Sequence, residues 1–360
     1  MSDVKIFAKI IEEQAQRQVE LLAEQKSFRD QKIRIMPDVH AGKGSVIGFT
    51  STMGNYIIPN VVGVDIGCGM KTVELGKCDL DLQKLDDVIR KHIPSGTSIH
   101  NQIVCRFEKV YELRCFSKLK GTERFEKSVG TLGGGNHFIE IDVDEEGNKY
   151  LVIHSGSRNL GNQVAEHYQR MAHKLMKDEE NVPRDLAYLS GENKADYLHD
   201  MEICGGYAVQ NRHTMAEIIF GKMGIDPTLP SFETIHNYID LDSNIIRKGA
   251  INADKGKKLL IPLNMRDGCI IGIGKGNEDW NFSAPHGAGR IMSRTKAKAE
   301  LSMEEYRKSM EGIFTTSVNL GTLDEMPAAY KDASDIIDVT GDTIDIIAMI
   351  KPIYNFKAKE

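Results

Sequence analysis

Short apolar runs interrupted by proline and glycine occupy both ends of this chain, and a long stretch of helical periodicity separates them. The predicted strands lie at residues 33–50, 57–75, 138–141, 150–153, 245–274 and 343–356. The predicted helices lie at residues 6–25, 80–92, 163–177, 196–223 and 293–313. Strands on both sides of a helical middle, without a repeat or a linker, predict one large α+β domain over residues 1–360, with a β-sheet core flanked by helices.

Three local details refine this pattern. Residues 138–141 alternate between apolar and polar and are expected to pair with residues 150–153 through a hairpin turn between Asp144 and Asn148. The Val-Val-Gly-Val at residues 61–64 predicts a buried strand directly before an aspartate and a cysteine. A polar loop at residues 178–183 is expected to separate the two long helical stretches.

Composition limits the classes of function. At 360 residues and 41% hydrophobic, the chain can bury a large core. A net charge of −6 provides no overall field that attracts nucleic acid, so a polyanion would need a local basic cluster. Six cysteines without a Cys-x-x-Cys pair favour a reduced, cytoplasmic protein. The sequence also shows neither a signal-peptide pattern nor an apolar run of membrane-spanning length, so no membrane partner is expected.

One segment places a histidine among small residues, where packing does not require it. Residues 284–290 are Ala-Pro-His-Gly-Ala-Gly-Arg. Glycine lets a backbone approach a ligand that a Cβ would exclude, and His286 with Arg290 four positions later suits a phosphorus centre. Arg290 and Arg294 would share one face if a helix had already begun there. The alternative, a helix with solvated basic residues, does not explain the small residues around His286.

Another three segments offer metal-binding side chains. Asp65 and Cys68 stand three residues apart in a glycine-containing turn, and a Gly-Gly-Gly-Asn run leads into His137. His154 opens a His-Ser-Gly-Ser-Arg motif that also resembles an anion-binding turn. Thiolate, carboxylate and imidazole together suit zinc or manganese, and the sequence does not choose between them. The alternatives are a buried free cysteine after an aspartate turn, and a turn with a surface arginine.

Two more histidines are weaker candidates. His236 precedes an asparagine and follows an apolar segment, where a histidine is commonly a satisfied core or surface residue. It gains weight as the third imidazole of a set with His137 and His154. His40 lies in a Pro-Asp-Val-His-Ala-Gly segment whose glycines allow backbone contact with a ligand.

Together these segments resemble the RtcB family of GTP- and manganese-dependent RNA ligases. The resemblance runs from residue 37 to residue 357, and six motifs occur in the family's order. They are Pro-Asp-Val-His at residues 37–40, Asp-x-x-Cys-Gly at 65–69, Gly-Asn-His-Phe-x-Glu at 135–140, His-Ser-Gly-Ser-Arg at 154–158, His-Asn at 236–237 and His-Gly-Ala-Gly-Arg at 286–290. The resemblance implies an RtcB-like fold for essentially the whole chain.

The resemblance also implies roles for individual residues. His286 would be the nucleophile that attacks the α-phosphate of GTP. Two Mn²⁺ ions, bridged by the thiolate of Cys68, would be bound by Asp65, Cys68, His137, His154 and His236. The GTP pocket would be formed, together with His286, by Asn136, Phe138, Glu140, Gly287, Gly289 and Lys357. RNA phosphates would be held by Arg158, Arg290 and Arg294.

The implied activity is the joining of RNA 3′-phosphate or 2′,3′-cyclic phosphate ends to 5′-hydroxyl ends, in RNA repair or tRNA splicing. It would proceed through a guanylylated histidine and an RNA-3′-pp-G intermediate, and an activating protein is a further partner that the sequence leaves open.

The chain departs from the family at residues 263–268, where Leu-Asn-Met-Arg-Asp-Gly replaces a Gly-Ser-Met-Gly loop that contacts nucleotide. Two alternatives follow: a manganese-dependent phosphoesterase that only opens cyclic phosphates, and an RNA-end-binding protein with structural metals. The intact motif around His286 weighs against both.

Overall fold

The computed structural model describes residues 2–179 and 182–358, and these form β-sheets flanked by helices, which confirms the predicted α+β class. Residues 180 and 181, within the polar loop expected at residues 178–183, lie outside the described residues. No helix in the described part of the chain combines the length and the apolar character needed to cross a bilayer.

The strands of the described residues are β1 (Asp3–Ile6), β2 (Lys32–His40), β3 (Ile47–Thr52), β4 (Gly69–Gly76), β5 (Phe138–Val143), β6 (Lys149–Ser155), β7 (Ser231–Ile235), β8 (Asn237–Asp240), β9 (Ile245–Lys248), β10 (Ala250–Asn252), β11 (Lys258–Asn264), β12 (Gly268–Gly274), β13 (Ser283–Pro285), β14 (Phe314–Thr315) and β15 (Ile344–Lys357). The helices are α1 (Glu13–Ala23), α2 (Leu82–His92), α3 (Arg158–Leu175), α4 (Gly191–Met223), α5 (Arg294–Glu300), α6 (Met303–Ser309) and α7 (Ala333–Thr340).

The largest sheet has the strand order β11-β12-β15-β5-β6-β4-β7, and the short β14 pairs with β15. The strands of this order are antiparallel to their neighbours, and β14 runs parallel to β15. The final strand β15, expected from its apolar pattern, joins the β11–β12 hairpin to the β5–β6 hairpin. A second sheet has the order β1-β2-β3-β9-β8, and β10 pairs with β13 beside it.

Four neighbouring strands of the large sheet bring predicted ligands together at one edge of the sheet, the edge formed by the ends of the strands. Because β5, β6, β4 and β7 are antiparallel, their starts and ends alternate along that edge. His137 directly precedes β5, Cys68 directly precedes β4, His154 is the penultimate residue of β6 and His236 directly follows β7. The predicted hairpin is confirmed, and its register places Phe138 opposite His154. The sheet topology therefore collects residues that are far apart in sequence.

Three of the expected elements differ in the structure. The helix expected at residues 293–313 is divided into α5 and α6. Residues 61–64 form no strand: the segment Pro59–Val61 is a single 3₁₀ turn, followed by a loop. Val61 and Val62 are buried as expected, but Gly63 has φ of +95°, which takes the backbone out of an extended conformation. The helix expected at residues 6–25 is confined to α1: Ile6 ends the edge strand β1 of the second sheet, and residues 7–12 form neither helix nor strand.

A buried carboxylate in α4 fixes the irregular segment between α2 and β5. Asp200 is fully buried and accepts hydrogen bonds from the backbone N–H groups of Arg114 (2.7 Å) and Cys115 (3.0 Å). The hydroxyl of Tyr168 in α3 donates to the same carboxylate at 2.8 Å. Asp200 therefore satisfies three donors from two other parts of the chain, so its loss would leave them unpaired in the core.

We predict that Asp200→Ala lowers the free energy of unfolding by about 3 kcal/mol, since buried donors that lose a charged acceptor cost about 1–3 kcal/mol each. Urea unfolding followed by circular dichroism measures the change. The matched control is Asp196→Ala on the same helix, because Asp196 is half exposed and its ion pair with Arg114 is 3.9 Å long. Equal stability of the two variants would contradict the assigned role of Asp200.

Candidate metal centre and adjoining cavity

The structure brings the five predicted metal ligands together. The Sγ atom of Cys68 lies 3.5 Å from Nε2 of His137 and 3.3 Å from Nε2 of His154. Nε2 of His137 is also 3.1 Å from Oδ2 of Asp65. The ligand atoms form two groups, each within 4.8 Å: Asp65, Cys68 and His137 in one, and Cys68, His154 and His236 in the other. Cys68 belongs to both groups, which is the arrangement that a bridging thiolate requires.

The hydrogen bonds of His137 leave its Nε2 atom as an acceptor. Nδ1 of His137 lies 2.8 Å from the carbonyl oxygen of Leu132, which can only accept, so Nδ1 carries the proton. Nε2 then presents a lone pair towards the carboxylate of Asp65 and the sulfur of Cys68. Three electron-rich groups that face one another in this way are satisfied by a cation between them.

The two other imidazoles support the same conclusion. The Nδ1 atoms of His154 and His236 are buried and have no hydrogen-bond partner among the described residues. Burial lowers the pKa of both rings well below the usual value, so each is a neutral donor of a lone pair. Burial, reinforced by the charge of Asp65, raises the pKa of the Cys68 thiol, and a bound cation would counteract this. The residues present therefore fit two divalent metal ions.

A cavity of about 310 Å³ adjoins these ligands. His154 and His236 form one side of it, and the ring of His286 lies 5.0 Å from that of His236, centroid to centroid. All the residues expected to bind nucleotide line this cavity: Asn136, Phe138, Glu140, His286, Gly287, Gly289 and Lys357. The lining also includes His40, the weaker candidate. The predicted nucleophile, the predicted nucleotide-binding residues and two of the predicted metal ligands thus line one cavity.

Asp38 orients His286, and sequence reasoning assigned it no role. Oδ2 of the buried Asp38 lies 2.6 Å from Nδ1 of His286 and accepts the backbone N–H of the same residue at 3.1 Å. Because Nδ1 keeps its proton and donates it in a hydrogen bond to this carboxylate, Nε2 is left with a lone pair. Gly289 has φ of +76°, and a Cβ there would lie 2.5 Å from the backbone oxygen of Asp38. The glycine therefore lets the His286 segment approach Asp38.

A second buried carboxylate missed from the sequence is Glu325. Its Oε2 lies 2.5 Å from Nζ of Lys357, whose ammonium is 5.6 Å from the ring centroid of Phe138. Burial raises the pKa of Glu325, but the charges of Lys357, Arg294 and Arg290 outweigh it and lower the value to about 2. Glu325 is therefore a permanent anion behind the cavity wall. No pattern in its own segment pointed to this role.

The three arginines expected to hold RNA phosphates lie in two places. Arg290 and Arg294 line the cavity, and their guanidinium groups lie 3.2 Å and 3.5 Å from Oε1 of Glu325. They do not share a helix face, because α5 begins only at Arg294. Arg158 lies behind the His137 loop and outside the residues that line the cavity, donating to the carbonyl of Gly96 at 2.7 Å. A Cβ at Gly133 would lie 1.7 Å from its guanidinium, which explains one glycine of that run.

Glu140, another polar residue that lines the cavity, has an unusual environment. Its carboxylate accepts a hydrogen bond from the side-chain amide of Asn355 on β15. Burial raises the pKa of Glu140 to about 7, and the charge of Lys357 opposes the rise. Asn264 and Met265, from the loop that departs from the family pattern, also line this cavity. Glu140 and Lys357 thus offer an acceptor and a donor on the cavity wall.

The comparisons with known proteins agree with this geometry. A sequence model of the family described as tRNA-splicing ligase RtcB matches residues 18–118 and 112–358. The RNA-splicing ligase RtcB of Escherichia coli K12 is 33% identical over 98% of this chain and 97% of its own length. The tRNA-splicing ligase RtcB of Aeropyrum pernix is 28% identical, over 85% of this chain and 83% of its own length. The chain therefore belongs to the RtcB family.

Proposed function

We propose that this protein is a GTP-dependent RNA ligase that joins a 3′-phosphate or 2′,3′-cyclic phosphate end to a 5′-hydroxyl end. The observation that carries the proposal is the orientation of His286, whose Nδ1–H donates a hydrogen bond to Asp38. Its free Nε2 has the character of a nucleophile, in a cavity next to a set of metal ligands. The names of the relatives, RNA-splicing and tRNA-splicing ligases, support an RNA substrate.

In the first step, Nε2 of His286 attacks the α-phosphorus of GTP. A phosphorus–nitrogen bond forms while the bond to the bridging oxygen breaks, and pyrophosphate leaves. The ring gains positive charge, which the carboxylate of Asp38 at 2.6 Å stabilises. Mn²⁺ ions held by Asp65, Cys68, His137, His154 and His236 would supply charge neutralisation for the triphosphate.

In the second step, an oxygen of the RNA 3′-phosphate attacks the same phosphorus atom. The phosphorus–nitrogen bond breaks, His286 regains its lone pair, and the RNA end carries a phosphoanhydride-linked guanylate. The 5′-hydroxyl of the other end then attacks the RNA 3′-phosphorus, its proton passes to solvent, and GMP leaves. A 2′,3′-cyclic phosphate end would first be opened by water to the 3′-phosphate. Arg290 and Arg294 lie on the cavity wall, where they would hold the RNA phosphates.

The choice of guanine is supported by the chemistry of Glu140. A carboxylate can accept hydrogen bonds from both N1–H and the 2-amino group of guanine, whereas adenine offers neither donor on that edge. Lys357 would donate to the guanine carbonyl oxygen from the same wall, where Glu325 holds its ammonium. The loop at residues 263–268, which departs from the family pattern, contributes Asn264 to the cavity lining. The side-chain oxygen of Asn264 accepts hydrogen bonds from the backbone N–H groups of Arg266 and Asp267 within the same loop.

We predict that His286→Ala abolishes both labelling of the protein by α-phosphate-labelled GTP and joining of RNA ends, since no other group replaces the attacking nitrogen. Acid-labile label on the protein and gel-resolved ligation products measure the two steps. His213→Ala is the control, because His213 is exposed and pairs with Glu217 at 3.2 Å on the surface of the same helix. Opening of cyclic phosphates that needs Mn²⁺ but neither GTP nor His286 would instead favour the phosphoesterase.

We predict that Asp38→Asn slows protein labelling about 10²- to 10⁴-fold, because the amide no longer stabilises the charge that develops on the ring. The loss should fall on kcat, with the KM for GTP nearly unchanged, since Asp38 contacts His286 and not the cavity space. Single-turnover labelling at several GTP concentrations separates the two constants. Asp279→Asn, at a half-exposed surface ion pair with Lys5, serves as the control. A normal labelling rate for Asp38→Asn would refute the assigned role.

A further inference from the structure

The inner face of α4 carries two adjacent polar side chains that lie wholly within the core, Asn211 and Arg212. A buried guanidinium and a buried amide need several acceptors, so their partners identify what they support. Both residues lie outside the residues that line the cavity and outside the two groups of metal ligands. Neither is therefore placed to touch a substrate or an ion.

Arg212 holds the turns that carry the metal ligands. Its Nη1 donates to the carbonyl of Gly67 at 2.9 Å and to the carbonyl of Ser155 at 2.7 Å. Gly67 is the residue before Cys68, and Ser155 is the residue after His154. The charge of Arg212 is balanced by Glu233 of β7, whose Oε2 accepts from Nε at 2.8 Å. One guanidinium thus connects two ligand-bearing turns and a neighbouring strand.

Asn211 holds the loop that leads to His137. Its Oδ1 accepts the backbone N–H groups of Gly130 (2.8 Å) and Thr131 (2.9 Å), and its Nδ2 donates to the carbonyl of Thr131 at 3.0 Å. Nδ2 also lies 3.0 Å from Oγ of Ser155. The amide therefore ties the loop before His137 to the end of β6.

A relay of hydrogen bonds extends from Asn211 to the ring of His137. The hydroxyl of Ser155 donates to the carbonyl of Leu132 at 2.8 Å. That carbonyl also accepts Nδ1–H of His137 at 2.8 Å, the bond that leaves Nε2 free. Displacement of Ser155 would therefore change the tautomer and the orientation of His137, a predicted metal ligand.

His236 depends on the same turn through its backbone. Its N–H donates to the carbonyl of Cys68 at 3.0 Å, and the N–H of Gly67 donates to the carbonyl of Asn237 at 2.8 Å. If the turn at Gly67 and Cys68 moved away from Arg212, these hydrogen bonds would therefore move His236 together with Cys68. Every segment that contributes a predicted ligand is linked in this way, directly or through one intermediate, to Asn211 and Arg212.

We infer that Asn211 and Arg212 are positioning residues for the metal centre, holding its ligand-bearing turns at the spacing that divalent cations require. The inference rests on the metal centre of the proposed function and adds residues that contact neither metal nor RNA. Outer partners of this kind typically contribute 10- to 100-fold to metal affinity. Their loss is therefore expected to weaken Mn²⁺ binding even though every ligand side chain remains.

The test is a Mn²⁺ titration of the full chain, with free Mn²⁺ measured by electron paramagnetic resonance. Asn211→Ala and Arg212→Met are expected to bind Mn²⁺ 10- to 100-fold more weakly than the wild type. The flanking variants Gln210→Ala and His213→Ala are matched controls on the same helix, since the side chain of Gln210 donates hydrogen bonds to Cys105 and Thr214, away from the ligand-bearing turns. Their Mn²⁺ affinity should equal that of the wild type.

Ser155→Ala keeps the inference falsifiable if Arg212→Met does not fold. This variant removes one hydroxyl from the relay and leaves the backbone carbonyl that Arg212 binds. It is expected to weaken Mn²⁺ binding, and Co²⁺ loading should show an altered thiolate-to-metal absorption band. Folded Asn211→Ala and Ser155→Ala variants with wild-type Mn²⁺ affinity would overturn the inference. A wild type that binds no Mn²⁺ would instead overturn the metal centre of the proposed function.

Discussion

A single buried thiol, that of Cys68, belongs to both groups of predicted metal ligands, and the site is organised around it. The sulfur lies 3.3 Å and 3.5 Å from two imidazoles because β6 lies between β4 and β5 and is antiparallel to both, which brings the starts of β4 and β5 and the end of β6 together. A one-residue slip between strands would turn the ligands to the opposite face of the sheet. The register of the large sheet is thus a requirement of the site as well as of the core.

The imidazoles of the site form a row, and His137 and His286 differ in the group that accepts their Nδ1 hydrogen bond. The rings of His137, His154, His236 and His286 follow one another with centroid distances of 5.0 to 5.2 Å. His137 donates to a backbone carbonyl, whereas His286 donates to the carboxylate of Asp38. Both kinds of acceptor occur with metal-binding imidazoles, but a carboxylate also stabilises a ring that becomes positively charged during attack. The position of Asp38 therefore supports the proposal that His286, the last ring of the row, is the nucleophile.

Among the described residues, three cations line the cavity, and a buried anion stands behind them. Arg290, Arg294 and Lys357 line the cavity, while Glu325 is buried at their back and remains ionised. The buried anion reduces the repulsion among three cations and fixes their positions. This local arrangement explains how a chain with a net charge of −6 can bind a polyanion at one place.

Sequence motifs predicted the side chains that face the cavity better than those that support them. The hairpin at β5–β6, the final strand and the gathering of the histidines with Cys68 followed from apolar periodicity and from the resemblance. Asp38 lies in the Pro-Asp-Val-His motif at residues 37–40, but the sequence offered no reason to assign it a role, because its partner His286 is 248 positions away. Glu325, Asn211 and Arg212 carried no signal, since a polar residue in a helix or turn shows its burial only after the chain has folded.

The measurement that tests the central claim most directly is mass spectrometric location of the nucleotidyl group on wild-type protein treated with GTP and Mn²⁺. The account predicts a single guanylylated peptide containing His286, with the modification on the ring nitrogen that Asp38 does not bind. Attachment to a lysine such as Lys357, or the absence of any adduct on protein shown to hold its metal ions, would contradict the account.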